Sequence, residues 1–259
     1  VFTLLSIITT TTLTWALWAR RHTWRYRWEY HGTLAVALLT PASLLTSPLG
    51  DLTNQQLHNL TGLWNLQYLA AQIFVVGGFA SAVYHSVEKL TPDEQIRHWG
   101  ITRLRYPSLA GITLMTILYT TSPTTDKPQP NLFTTPTPHL AAYWLTTAAL
   151  VTYLVYQGIR ALLDLWHDPP SRRTVDIYLT SGACITTAII MRLIDTILIE
   201  PDPDPLILGI GRTAFQLGIT IYAYGVAQSW TRRVHWFTRV PLSPEPQQQY
   251  DDPQALEGR

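Results

Sequence analysis

Arg192 and Asp195 stand three residues apart in one long apolar stretch, and Arg212 lies in the next. A spacing of three puts two side chains on one face of a helix, so this arginine and this carboxylate can pair. The run Glu200-Pro201-Asp202-Pro203-Asp204-Pro205 reads as a tight acidic turn that makes the two stretches neighbours. At about 1.5 Å of rise per residue, both arginines lie roughly 10 Å in from that turn. Gln216 shares the helical face of Arg212, and Asn65 and Gln72 belong to an earlier apolar stretch. A pocket built on Arg192, Asp195, Arg212, Gln216, Asn65 and Gln72 would carry a net positive charge. It would suit a small anionic solute, because a guanidinium fork matches carboxylate and phosphate. The competing expectation is structural: Asp195 neutralises one arginine and joins two helices, while the other arginine snorkels toward lipid headgroups.

Histidine is the next candidate, since converging imidazoles bind metals or haem. Of the eight histidines, only His85 falls deep within an apolar stretch. Ser81 and His85 make an S-x-x-x-H pair on one helical face, a pattern found in metal-dependent seven-helix hydrolases, but the other histidine and the acidic partners of that pattern are missing. No metal ligand set and no cofactor is therefore expected. His167-Asp168-Pro169-Pro170 reads as a helix stop. The last apolar stretch contains no lysine, which excludes a retinal Schiff base. There is no Walker loop, G-x-S-x-G elbow or H-E-x-x-H helix. Gly209-x-Gly211 and Gly77-Gly78 are expected to serve close helix packing. Cys184 is the sole cysteine and sits in an apolar run, so it is expected to be buried and inert.

The elements that must position these residues follow from composition. Only 14% of the 259 residues are charged and 47% are hydrophobic, whereas a soluble chain carries about 25% charged residues. The mean hydropathy of +0.07 is held down by polar connectors and by 35 threonines. Seven stretches suit a bilayer: Phe2 to Ala19, Gly32 to Leu49, Leu63 to Val87, Tyr106 to Ser122, His139 to Leu163, Val175 to Ile199 and Pro205 to Ser229. The second carries Pro41, which a spanning helix tolerates where neighbours satisfy the freed carbonyl. Val1 to Ala19 lacks a basic leader and a small-residue cleavage site, so it is read as a span and not as a signal peptide.

Lysine and arginine test the count, because short cytoplasmic loops collect positive charge. Fifteen lie in alternate connectors on one side, only Lys127 lies on the other, and Arg192 and Arg212 are inside stretches. The expected fold is therefore an all-α bundle of seven transmembrane helices, N-terminus outside and C-terminus in the cytoplasm, in the plasma membrane. Residues 1–231 would form the bundle, and 232–259, rich in Pro, Gln and Asp, a largely disordered cytoplasmic tail. Trp24, Trp28, Trp99, Trp166, Trp230 and Trp236 mark the cytoplasmic ends, and Trp64 and Trp144 the outer ones. With a net charge of +1 there is no basic surface to grip nucleic acid.

The segment Leu60-Thr61-Gly62-Leu63-Trp64-Asn65-Leu66, with Pro41 about twenty residues earlier, resembles the T-G-x-x-N signature of an actinobacterial family of multi-span membrane proteins described as transporters. The resemblance implies the same seven-span layout, with Gly62 and Asn65 as the matched positions. Members of that family carry a longer cytoplasmic C-terminal region than this chain does. The leading expectation for function is binding or transport of a small anionic solute through an outer-side pocket. A receptor or interaction protein that presents basic cytoplasmic loops to a protein partner or to anionic lipid is the first alternative. A membrane-embedded metal-dependent hydrolase resting on Ser81 and His85 is the second.

Overall fold

The computed structural model describes residues 2–47, 50–88, 90, 93–128, 137–167, 169, 171–197 and 205–239. These residues are all-α: α1 (Phe2–Ala19), α2 (Arg27–Leu45), α3 (Gly50–Thr61), α4 (Leu66–Glu88), α5 (Asp93–Trp99), α6 (Tyr106–Thr120), α7 (Pro138–Trp166), α8 (Arg172–Ile197) and α9 (Pro205–Arg239). A π-helical stretch, Gly100–Arg105, joins α5 to α6. The seven apolar stretches correspond to α1, α2, α4 and α6 to α9. Four helices, α4, α7, α8 and α9, are long and apolar enough to cross a membrane, against the seven expected. The others fall short because α1 and α6 have only 18 and 15 residues and α2 begins in a charged segment.

Two further differences from the sequence reading concern connectors. Residues 50–61, read as part of a loop, form the amphipathic helix α3, which Gly62 ends with a positive φ of 76°. Helix α9 continues to Arg239, past the point where the tail was expected to begin. The acidic turn before Pro205, most of the Pro/Thr-rich connector before α7 and the disordered tail expected from Pro241 lie outside the described residues.

Six helices close into a ring in the order α1, α2, α4, α7, α8, α9, and α9 returns to α1. Helix α6 packs outside the ring in the angle between α4 and α7. Its contact is an apolar cluster that includes Met115, Tyr119, Tyr143 and Leu154, all inaccessible. A second cluster fills the middle of the ring with Leu13, Val36, Leu39, Val75, Val151 and Ile219. The perimeter is apolar as well, with Leu4, Ile7, Leu109, Ile117, Ile190 and Leu217 exposed.

The helices meet closely where glycine permits it. A Cβ on Gly78 would stand 2.8 Å from Leu39 Cγ and 3.3 Å from the Ala35 carbonyl on α2. Along α9, Gly211, Gly218 and Gly225 recur every seven residues against α8, with an added Cβ at 3.2, 2.8 and 2.8 Å from Met191, Ile185 and Ile177 respectively. That approach lets Ser181 Oγ donate to the Gly218 carbonyl at 2.7 Å, an interhelical bond that needs backbone proximity. Threonine suits such helices for another reason. Thr12, Thr14, Thr186 and Thr187 donate their hydroxyls to the carbonyl four residues earlier at 2.8–3.0 Å, leaving only a methyl to face outward.

Gly78→Ala should lower stability by about 1–3 kcal/mol through overpacking against α2. Gly158→Ala, whose new methyl meets only Val83 at 3.4 Å, should be neutral or stabilising because it raises helix propensity. Thermal unfolding of the purified variants separates the two.

Candidate functional site

Inside the ring, above the central apolar cluster, lies a cavity of about 380 Å³ to which all six ring helices contribute. It opens at the end of the ring that holds the N-termini of α1, α4, α7 and α9, here called the upper end. Val75, Val151 and Ile219 form its floor and belong to the central cluster. Its walls carry small hydroxyls from Ser6, Thr9, Ser43 and Thr147, and aromatic faces from Tyr68 and Trp144.

Arg192 and Arg212 both line this cavity. Arg192 NH1 donates to Asp195 Oδ2 at 2.6 Å, and its Cζ lies 4.0 Å from the centre of the Trp144 ring. The carboxylate orients the guanidinium in its own plane while the indole supports one face through cation–π attraction. Asp195 is itself 93% buried and is not part of the cavity wall. Among the described residues the lining therefore holds two cationic side chains and no acidic one, and the Asp195 carboxylate lies behind Arg192.

Gln72 and Gln216 also face the cavity. Gln216 sits one turn below Arg212, as the sequence spacing requires, and its Nε2 donates to Ser6 Oγ at 2.8 Å across to α1. Thr9 and Thr220 repeat that α1–α9 link at 3.0 Å. Five of the six residues anticipated from sequence thus converge: Arg192, Arg212, Gln216 and Gln72 on the cavity, and Asp195 on Arg192.

Asn65 does not join them. It is fully buried with φ +65°, and its Nδ2 donates to the carbonyls of Thr124 and Lys127 at 2.7 and 2.9 Å. Its backbone N–H is capped by Asn54 Oδ1 at 2.8 Å, and its carbonyl accepts from Tyr119 Oη at 2.8 Å. Asn65 is a junction that ties α3, α4 and the turn after α6 together. Asparagine suits this position because it tolerates the left-handed conformation and supplies two amide donors.

At the opposite end of the ring is a second buried polar centre that sequence reasoning missed. Arg20 was counted among the loop cations, yet it is 1% exposed. Its NH2 donates to Glu29 Oε2 at 2.5 Å and to the Glu29 carbonyl at 3.1 Å, its Nε to Thr33 Oγ1 at 3.0 Å, and its NH1 to the Val226 carbonyl at 3.3 Å. His85 Nε2 stands 3.8 Å from the same Glu29 oxygen, and Thr23 and Thr33 share a short hydrogen bond beneath. The sequence held one signal for this centre: Glu29 is the only acidic residue among the first fifty, and it lies among arginines.

His85 is thus engaged by an ion-pair network, and Ser81 is not part of it. Among the described residues no group of three or more His, Cys, Asp or Glu side chains is placed to hold a metal ion. Cys184 is partly exposed, not buried as expected, and faces an apolar groove on the outside of α8 and α9. No protein-family model, curated protein or solved structure matches this chain. The T-G-x-x-N likeness therefore rests on its own few residues, and the structure gives Gly62 and Asn65 local backbone roles.

Asn65→Ala should leave the Thr124 and Lys127 carbonyls without the amide donor and force alanine into a left-handed conformation. A loss of about 2–4 kcal/mol in stability is expected. Any ligand affinity of the cavity, measured at a temperature where the variant is folded, should be unchanged.

Proposed function

We propose that this chain is a seven-span plasma-membrane protein with the cavity end outside, and that it binds or passes a small anionic solute through that cavity. One observation carries the proposal: Arg192 and Arg212 converge on a single cavity whose lining, among the described residues, has no acidic side chain. Charge held at this depth in an apolar bundle is costly and by default marks a functional site. An anionic group between the guanidinium forks would be held by charge-assisted bidentate hydrogen bonds, the strongest available there. The hydroxyls and glutamines below would take a polar remainder. A volume of about 380 Å³ lies within the ordinary range for small-molecule sites.

The apolar perimeter and the four long apolar helices support a bilayer environment. Helix α1 enters at the cavity end, and Arg20, Arg21 and Arg25 follow at the other, so the excess of loop cations lies opposite the cavity. The bias of positive charge toward the cytoplasm then sets the cavity outside. Reporter fusions after Thr125 and after His167 should therefore report exterior and cytoplasmic locations respectively; the reverse pattern would invert the assigned orientation.

The binding test is thermal unfolding of the detergent-purified protein across carboxylates, phosphate and phosphate monoesters, because a ligand of the folded state raises stability by mass action. At least one anion should shift the transition upward. Arg212→Leu should weaken that anion by about tenfold or more, given roughly 1.5–3 kcal/mol for a hydrogen bond to a charged group, while remaining folded in the membrane. A panel without any shift, or an unchanged affinity in Arg212→Leu, would overturn the proposal.

A further inference from the structure

We infer that the solute of the cavity is a polyhydroxylated anion, a sugar acid or sugar phosphate, whose hydroxyls meet the α1–α2 wall while its anionic group is held by the arginines. The inference rests on the reading of the cavity as an anion site given above and names the class of solute. The lining is of two kinds. Thr3, Ser6 and Thr9 of α1 and Ser43, Thr46 and Ser47 at the end of α2 form one part, so every α1 residue on the cavity, and all but Ala42 of those around α2, bears a hydroxyl. On α8 and α9 the two arginines and Gln216 stand instead among apolar side chains such as Ile189, Met191, Leu208 and Phe215.

The abundance of threonine in the chain does not account for this wall. In the same turns of α1 the outward residues are Leu4, Ile7 and Ile8, all exposed on the perimeter, so the hydroxyls there are confined to the inward face. Their hydrogen-bonding capacity is only partly used. Ser6 is 7% exposed and its Oγ accepts from Gln216 Nε2 at 2.8 Å, but no described residue accepts its proton. Ser43 shares a single hydrogen bond with Thr10, at 2.8 Å, whereas a hydroxyl offers one donor and two acceptor positions. Thr46 spends its proton on the Ala42 and Ser43 carbonyls at 3.0 and 3.2 Å, which leaves its oxygen as an acceptor. The Gln72 amide, beside this wall on α4, has no hydrogen-bond partner among the described residues.

Donors and acceptors are therefore offered side by side: the Ser6 proton and the Gln72 amide N–H groups to donate, the Thr46 and Gln72 oxygens to accept. A solute hydroxyl answers both, because it too donates once and accepts twice. An aliphatic chain would leave these groups without partners, and a bare anion would engage the arginines alone. An ammonium group finds no carboxylate in the lining among the described residues, so hydroxyls suit the wall better than amines. Arg212 and the floor residue Ile219 are seven positions apart on α9, which separates head group and floor by roughly 10 Å and leaves room for a chain of several carbons between them.

Isothermal titration calorimetry of the full chain in detergent, with gluconate, glucose 6-phosphate, hexanoate and sorbitol as probes, tests this. Gluconate or glucose 6-phosphate should bind about ten- to a hundredfold more tightly than hexanoate, the gain expected from two or three further hydrogen bonds. Sorbitol, which has the hydroxyls without the anionic group, should not bind measurably. The difference between gluconate and glucose 6-phosphate reports whether the arginines take a carboxylate or a phosphate. The double variant Ser43→Ala/Thr46→Val and, independently, Gln72→Leu should weaken the polyol anion by about tenfold and leave any hexanoate binding unchanged. Hexanoate binding as tightly as the polyol anions, or a polyol affinity that neither variant lowers, would overturn the inference; the anion site itself would stand if that binding is still lost in Arg212→Leu. No binding by any of the three anions would remove the anion site and this inference with it. Sorbitol binding as tightly as gluconate would show recognition without the anionic group and overturn both.

Discussion

Polar atoms enclosed by apolar helices are costly unless they find hydrogen-bond partners, and the apolar side chains around them offer none. Much of this structure follows from that constraint. Threonine is admitted in number because its hydroxyl can bond back to its own helix, as at Thr12 and Thr186. Arg192 and Arg20 each arrive with a carboxylate: Asp195 for Arg192 and Glu29 for Arg20. The two solutions differ in reach. Asp195 is on the same helix as its arginine, so that pair forms whatever the neighbours do. Glu29 lies across a helix connection, and one further donor of Arg20 reaches the Val226 carbonyl of α9, so that centre joins α1, α2 and α9.

Closing six helices into a ring leaves space at the axis, and side-chain size decides where the space is filled. In the middle, Leu13, Leu39, Val151 and Ile219 meet and exclude water. Toward the upper end the inward positions change to Ser6, Ser43, Thr147 and Gln72, which are too small or too polar to seal the axis, and the cavity opens there. At the lower end the Arg20 centre completes the closure. The polar cavity and the polar centre are thus separated by an apolar layer, which keeps charge at one end from reaching the other except through helix movement.

The parts of this arrangement legible in the sequence are those with short-range causes. Apolar length marked the seven stretches that became helices, and a spacing of three or four residues placed Arg192 beside Asp195 and Gln216 below Arg212. Helix α3 was missed because its segment, with Asn54, Gln55, Gln56 and Asn59, is too polar to stand out by hydropathy, though its order rests on local capping and on His58 stacking against Trp64 at 3.8 Å. Asn65 was assigned to the pocket because an amide near a helix start can serve either a ligand or the backbone. Its positive φ and the carbonyls of Thr124 and Lys127 decide between them, and neither is visible in sequence. Arg20 was hidden by its neighbours: in a run with Arg21 and Arg25 it looks like any loop cation, and its contacts with Glu29, Thr33 and a carbonyl 206 residues away distinguish it.

The relation between the two buried centres follows from which helices they share. Helices α1, α2, α4 and α9 contribute to both the cavity and the Arg20 centre, whereas α7 and α8 line the cavity and carry Arg192 without reaching the Arg20–Glu29 pair. Glycine contacts join the helices within and between these two groups. Gly78 holds α4 against α2 within the first group, while the Gly211–Gly218–Gly225 seam joins α9 to α8 and so crosses between the groups. Because that seam carries its interhelical hydrogen bond at Gly218, near the middle of α9, it fixes the two groups to each other between the cavity and the Arg20 centre.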